Sequence, residues 1–253
     1  MLQFVSKCQA WLSENPEVME YLVELRHMTP NSIKEFQIGY FPRNAWFDPI
    51  PGDPPELCQL RGRVIIPILS EFGKIVGIAG RIPDPNEKGW WNTKFVKGSH
   101  LYGFNSARKS IFENNKTYVF EGYMDRIILA QYGLTNSVSA MSTNLGMRRI
   151  GLISRYCDKV CLCFDTDQND SGLIGFFKTL ADMYSVGIGM DPSSWEITRI
   201  KLPVKVDPDD FVAEHGMEAF LSLEKPIPEE LLKKAESAHE ELKYRLQKKR
   251  GNK

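Results

Sequence analysis

Apolar residues open the chain at helical spacing, with Phe4, Cys8, Trp11 and Leu12 on one face. Asn15-Pro16 interrupts the pattern before Val18, Met19, Tyr21, Leu22 and Leu25 resume it. The stretch to about Gln37 therefore reads as helices, and Thr29-Pro30 starts a short one, because proline is tolerated in a first helical turn. Pro42, Pro49, Pro51, Pro54 and Pro55 make the next segment a loop or linker. Two apolar runs follow, Val64 to Leu69 and Ile75 to Ala79, separated by Ser70-Glu71-Phe72-Gly73-Lys74, which has hairpin-loop length and a glycine. Pro67 inside the first run predicts an edge or bulged strand. Pro83 to Gly98 is polar and carries glycine and proline, so it reads as a surface loop.

From residue 117 the pattern becomes strand and helix in alternation. Tyr118 to Phe120 reads as a strand ending at Glu121-Gly122, then Asp125 to Tyr132 as a helix stopped by Gly133. Ser137 to Ala140 and Lys159 to Phe164 are further strands, with a helix around Arg148 to Tyr156 between them. A helix from about Ser171 to Tyr184 and a strand over Ile197 to Leu202 complete the series. Such alternation predicts an α/β fold with a mostly parallel sheet and helices on both faces. The expected organisation is a helical and basic mixed α+β subdomain over 1–115, an α/β domain over 116–215 and a charged helical tail over 216–253. In that tail Lys248-Lys249-Arg250 reads either as a patch for nucleic acid or a partner, or as a solvated helix end.

Composition narrows the class. An apolar fraction of 42% and a charged fraction of 25% are ordinary for a soluble globular protein. No apolar run reaches membrane-spanning length, and the start lacks a secretory pattern. Five cysteines without a paired framework fit a reducing, cytoplasmic compartment. The net charge is zero, yet Arg61, Arg63, Lys74, Arg81, Lys88, Lys94, Lys97, Arg108 and Lys109 cluster before residue 110, while acids gather after Glu121. A metal-dependent enzyme acting on a polyanion would need this division. On charge alone, two unrelated solvated faces are the simpler reading.

The acids change that balance, because they fall at strand ends: Glu121, then Asp165 with Asp167, then Asp207 with Asp209. Ligands of open parallel sheets gather outside the carboxyl ends of the strands. Residues two apart in an extended segment point to one side, so Asp165 and Asp167 can converge. Converging carboxylates repel unless cations neutralise them, and hard oxygen donors favour Mg²⁺ or Mn²⁺ over zinc. A single Asp after a strand is ordinarily a turn residue or a helix cap; Asp125 could complement its helix dipole, and Asp170 and Ser171 look like caps. Cys161 and Cys163 read as packed side chains, and no CxxC pair exists, so no zinc site is expected. Trp90 and Trp91, beside Asn92, Lys94 and Lys97, either stack bases or anchor their loop; Trp11, Trp46 and Trp195 read as packing residues.

Glu121-Gly122-Tyr123-Met124-Asp125, followed by Leu129-Ala130-Gln131-Tyr132-Gly133, closely resembles the first TOPRIM motif of DnaG-type primases. Ser139-Ala140-Met141-Ser142-Thr143 stands where that family has a small-residue turn, Asp165-Thr166-Asp167 resembles its DxD motif, and Asp207-Pro208-Asp209-Asp210-Phe211 its DPD segment. Upstream, Arg63 to Ile68, Gly73 to Arg81 and Phe95-Val96-Lys97-Gly98 are similar to the family's basic subdomain. The resemblance covers roughly residues 16 to 215 in one order.

What the resemblance implies is a DNA primase with a TOPRIM domain over 116–215: a nucleotidyltransferase making short RNA primers on single-stranded DNA from nucleoside triphosphates. Glu121, Asp165, Asp167, Asp207 and Asp209 would surround Mg²⁺ or Mn²⁺, with Asp125 close by as a ligand or an orienting carboxylate. Glu121, Asp125, Asp165 and Asp167 form the implied catalytic set. Arg63, Arg81 and Lys97 would line a basic groove, with Lys88, Lys94, Trp91 and Asn92 beside them; the loop is shorter than the family's, and Lys88 and Lys94 both stand for its first lysine. The family also implies the cytoplasm of a bacterial or phage-infected cell, a place in the primosome, and a replicative helicase or a separate zinc-binding module as partner. Two alternatives keep the same metal cluster or lose it: a TOPRIM nuclease, and a catalytically weak module binding single strands or nucleotides. A topoisomerase would need a further domain bearing a nucleophilic tyrosine, and no Walker A pattern supports a P-loop ATPase.

Overall fold

The apolar spacing of the first residues forms helix α1 (Leu2–Ser13), which buries Phe4, Val5, Cys8 and Leu12. In this computed structural model residues 1–87, 89–164, 171–186, 195–203, 206–233 and 237 are described. They divide into two compact units, Met1–Lys97 with Tyr102–Asn105, and Gly98–Leu101 with Ser106–Lys253.

In the first unit β1 (Gly39–Phe41), β2 (Arg63–Leu69), β3 (Ile75–Arg81) and β4 (Trp91–Asn92) form an antiparallel sheet in that order. Helix α1 lies on one face: a Cβ at Gly39 would stand 2.6 Å from Cys8 Cβ, so only glycine admits the helix this closely. Phe4, Phe41, Leu60, Ile65 and Ile78 close the core between them, each worth about 2 kcal/mol in apolar burial. Helix α2 (Pro16–Glu20) runs into a π-helical turn, Tyr21–Leu25, and α3 (Pro30–Glu35) begins at Thr29, whose hydroxyl accepts from Ser32 N at 3.2 Å.

Two expectations are corrected in this unit. The Pro83–Gly98 segment is not all loop, because Trp91 and Asn92 pair with Gly80 and Ala79. Of the two alternatives for β2, the edge strand falls, since β2 lies between β1 and β3, and the bulged strand holds, with its register shift at Ile68/Leu69. The reason is local. Ile78, opposite Pro67, donates to Thr93 Oγ1 and accepts from Thr93 N, both at 2.9 Å, so its backbone faces β4. Pro67 therefore presents its missing N–H to the β1 side, where pairing has already ended at Gly39↔Ile65.

The second unit contains a sheet of order β6 (Ser137–Ser139), β5 (Lys116–Phe120), β7 (Lys159–Cys163), β8 (Glu196–Arg199) and β9 (Lys225–Pro226). The first four are parallel, and β9 runs antiparallel along β8. Helix α4 (Phe104–Asn114) leads into β5, α5 (Tyr123–Gln131) connects β5 to β6, α6 (Met147–Ile153) connects β6 to β7, and α7 (Ser171–Val186) connects β7 to β8. Right-handed crossovers in this order send α5 to one face and α6 and α7 to the other, where α6 packs on α7. Helix α8 (Pro208–Ser222) packs with α5. The expected α/β class, a mostly parallel sheet with helices on both faces preceded in the chain by a mixed α+β unit, is the architecture found. From β5 the chain winds to β6, and from β7 it winds the other way to β8, so the order reverses between β5 and β7. Ligands bind at such a switch point.

On one face of this sheet, Lys116 Nζ lies 2.6 and 2.8 Å from the two carboxylate oxygens of Glu224, which also accept from Thr198 Oγ1 at 2.5 Å and Tyr118 OH at 3.1 Å. This cluster ties β5 and β8 to the residue just before β9. Among the described residues, no helix is long and apolar enough to cross a membrane.

Candidate functional site

Glu121 follows β5 directly, at the carboxyl edge of the sheet beside the switch point. Gly122 is the N-cap of α5, and Asp125 folds back to accept from Gly122 N at 3.0 Å. A Cβ on Gly122 would lie 2.7 Å from Asp125 Oδ2, so the absence of a side chain admits this carboxylate. Asp125 is 7% exposed and performs the capping role that its position in the first turn allows. Strand β7, paired in register through Phe120↔Cys163, ends beside β5. Asp165 and Asp167 follow it and lie outside the described residues, as do Lys88, Asp170 and the tail bearing Lys248, Lys249 and Arg250.

Asp207 is the N-cap of α8 and Pro208 occupies its first helical position, where a missing N–H costs nothing. This entry brings a carboxylate oxygen of each of Asp207, Asp209 and Asp210 within 4.8 Å of one another. Asp209 is 8% exposed, while Asp207 and Asp210 face solvent. The helix dipole favours negative charge at this position, and an all-carboxylate donor set fits a hard divalent cation. Asp210 joins Asp207 and Asp209 here although only the latter two were assigned as ligands, because a two-residue spacing does not reveal that the helix begins between them.

The turn after β6 is bound to the same edge. Ser139 Oγ donates to Glu121 O at 2.9 Å and accepts from Met141 N at 3.0 Å. Ser142 Oγ lies 3.2 Å from Ala140 O and 2.8 Å from Asn144 O. From α7, Thr179 Oγ1 accepts from Leu145 N at 3.0 Å.

The sheet of the first unit sorts the expected basic residues by face. Opposed residues share a face, so Val64↔Arg81 and Ala79↔Asn92 put Arg81 and Asn92 on one side. Ile65↔Gly80 and Gly80↔Trp91 put Arg63 and Trp91 on the other, with α1. Trp91 packs against the core there and so anchors its segment. Arg81 places its guanidinium 5.8 Å from the Trp90 ring centroid and donates to Glu87 O at 2.9 Å. Lys94 is exposed, its backbone N–H donating to Glu56 Oε1 at 2.8 Å; Lys97 opens a 3₁₀ turn, Lys97–Ser99.

Trp46 corrects an expectation: it is 67% exposed rather than packed. Its Nε1 donates to Asp48 Oδ1 at 2.6 Å, and the Arg61 guanidinium sits 5.0 Å from its ring centroid and 5.7 Å from that of Phe41. Arg61 Nε donates to Ala45 O at 3.1 Å, so the cation is fixed as firmly as the ring. A tryptophan in a proline-rich loop between Arg43 and Arg61 was the available signal, since such a loop has little core to offer an indole.

Residues 118–212 match a family described as Toprim-like. The DNA primase of Rickettsia typhi is 30% identical over 231 residues, covering 82% of this chain and 38% of that protein. The zinc-binding and RNA polymerase domains of the Aquifex aeolicus primase superpose with a TM-score of 0.71 at 27% identity, over 91% of this chain and 61% of that one. A DnaG primase catalytic domain bound to single-stranded DNA gives a TM-score of 0.69 at 27% identity, over 82% and 74%. Fold and residue order thus define a Toprim-type protein. More particularly, the chain belongs to the DnaG-type DNA primases and has the fold of their catalytic core. It spans 27% to 38% of the length of the curated relatives it matches. These relatives do not favour the nuclease alternative.

Proposed function

We propose that this chain is the nucleotidyl-transferring core of a primase, building short RNA primers on a single-stranded DNA template. The observation that carries the reading is the switch point between β5 and β7, with Glu121 at its edge and the Asp207–Asp209–Asp210 cluster at the entry of α8. Glu121, Asp165, Asp167, Asp207 and Asp209 hold divalent metal, Mg²⁺ or Mn²⁺, with Asp125 orienting Gly122 behind Glu121. When bound, the metal supplies charge stabilisation at the attacking and leaving oxygens. A 3′-hydroxyl attacks the α-phosphate of a nucleoside triphosphate; the new P–O bond forms as the bond to pyrophosphate breaks. Arg81, Asn92, Lys94, Lys97 and Lys88 bind phosphates, and Arg63 supports the sheet from its other face.

Template binding draws on a surface outside the assigned set. Trp46 offers an exposed ring held by Asp48 and Arg61, the arrangement that stacks a base while a cation meets the backbone. The Trp46→Ala variant should bind a single-stranded oligonucleotide about tenfold more weakly in fluorescence anisotropy, the loss of roughly one stacked base. Its thermal midpoint should barely move, because the ring buries little. The Aquifex structure comprises a zinc-binding domain and an RNA polymerase domain. A separate zinc-binding module is accordingly the first partner to supply in trans, and a replicative helicase the second.

The test is synthesis from labelled nucleoside triphosphates with Mg²⁺ or Mn²⁺, on bare single strands and on strands bearing an annealed primer, with Asp165→Ala as control. New oligoribonucleotides that vanish in the variant are expected. Extension of the annealed primer alone would mark a polymerising core needing its template-reading module. Template cleavage would instead identify a nuclease, and an inert chain that still binds single strands a regulatory module.

A further inference from the structure

A buried cation on α6 grips the turn after β6, the turn that is hydrogen-bonded to the Glu121 backbone. Arg149, on α6, is 4% exposed. Its Nη1 donates to Ala140 O and its Nη2 to Ser142 Oγ at 3.2 Å, while Nε has no partner among the described residues. No carboxylate among the described residues forms a salt bridge with it. Burial lowers its pKa from 12.5 to about 10, which leaves it charged at neutral pH. Burying a guanidinium is costly unless it is hydrogen-bonded, and these two bonds to the turn offset part of that cost. What the guanidinium grips is the turn after β6, where Met141 takes φ +58°, a left-handed conformation that bulky side chains rarely adopt. A planar fork reaches both Ala140 O and Ser142 Oγ across that turn; an ammonium would hold one of them.

The held turn reaches two other parts of the centre. Through Ser139 Oγ it links Met141 N to Glu121 O, the backbone of the β5 carboxylate. Through Leu145 N and Thr179 Oγ1 it is tied to α7, the helix that follows Asp165 and Asp167. A Cβ on Gly175 of α7 would collide with the Thr143 carbonyl, so the helix and the turn are in close backbone contact. We propose that Arg149 is a positioning residue for the metal centre, holding the strained turn after β6 so that Glu121 keeps its place at the switch point. The inference rests on the reading of Glu121 as a metal ligand.

The experiment is Mn²⁺ binding to the full chain, followed by the electron paramagnetic resonance signal of free Mn²⁺, for Arg149→Lys, Ser139→Ala and Glu121→Gln. Arg149→Lys and Ser139→Ala should each weaken Mn²⁺ by about tenfold, as loss of support behind a ligand does. In primer extension both should lower kcat with the KM for nucleotide unchanged, since neither side chain meets the nucleotide. Should Arg149→Lys fail to fold, Ser139→Ala, which removes one hydroxyl, decides alone. Unchanged Mn²⁺ binding in Ser139→Ala overturns the inference, even where Arg149→Lys is weakened, because the effect would then bypass the turn. A variant pair that melts earlier yet binds Mn²⁺ like the parent overturns it too. If Glu121→Gln itself binds Mn²⁺ normally, the ligand reading fails, and the inference falls with it for that separate reason.

Discussion

Replacing Asp209 with asparagine is expected to lower template-directed synthesis by roughly a hundredfold or more at fixed Mg²⁺, the scale on which removing one electrostatic stabiliser acts. Asparagine keeps the shape and the place in the first turn of α8 but deletes a charge from a group of three carboxylates within 4.8 Å. Without metal, that deletion relieves repulsion and gives up part of a favourable interaction with the helix dipole, so the thermal midpoint in chelator should hold or rise. With metal, the same deletion removes a ligand, so the increase in midpoint on adding Mn²⁺ should shrink. Opposite signs in the two conditions separate a metal ligand from a structural cap. Differential scanning fluorimetry with and without Mn²⁺ reads both. A midpoint that falls in chelator while the Mn²⁺ increment stays whole would assign Asp209 to the helix and not to the metal. Affinity for a single-stranded oligonucleotide without metal should be unchanged, because the proposed stacking surface around Trp46 belongs to the other unit.

How far the sequence reaches is visible in these residues. The β5–α5–β6–α6–β7–α7–β8 series was legible because apolar runs alternate with helical periods, and the acids at strand ends followed from it. Strands β1, β4 and β9 were not, being two or three residues long and defined by a partner rather than by a period. Helix α8 was read only as an acidic motif. Gly216, at φ +82° within it, breaks the periodicity that would have announced a helix. Pairing register was the largest loss. The family resemblance implied one basic groove for Arg63 and Arg81, whereas Val64↔Arg81 turns them to opposite faces of the sheet. Trp46 was missed for a related reason: composition assigns tryptophan to cores, and only the proline-rich loop around it leaves the ring outside.

Glu224→Ala should destabilise the second unit by about 2–3 kcal/mol, below the full cost of breaking a buried pair because some solvent reaches it. The side chains of Lys116 and Glu224 are 24% and 17% exposed. Removing the carboxylate strips Lys116 Nζ, Tyr118 OH and Thr198 Oγ1 of a shared acceptor at once. The pH dependence carries the sharper signature. Burial raises the Glu224 pKa, but hydrogen bonds from Lys116 and Thr198 outweigh it and hold the carboxyl below its ordinary 4.5. Its contribution is therefore present above pH 4.5 and lost as pH falls through the depressed value. For Lys116 burial opposes the charge, yet the bonds to Glu224 and Tyr118 raise its pKa above 10.5, and burial pushes Tyr118 up to about 12. Those two contributions are full below the ordinary values and disappear as pH rises through the raised ones. Urea midpoints across pH should thus fall at both ends in the parent. In Glu224→Gln the acid limb should flatten. The Lys116 share of the alkaline limb should flatten as well, because burial without the carboxylate lowers the Lys116 pKa, and discharging a buried, uncompensated ammonium no longer costs stability. An acid limb as steep in the glutamine variant as in the parent would assign acid sensitivity to carboxylates other than Glu224.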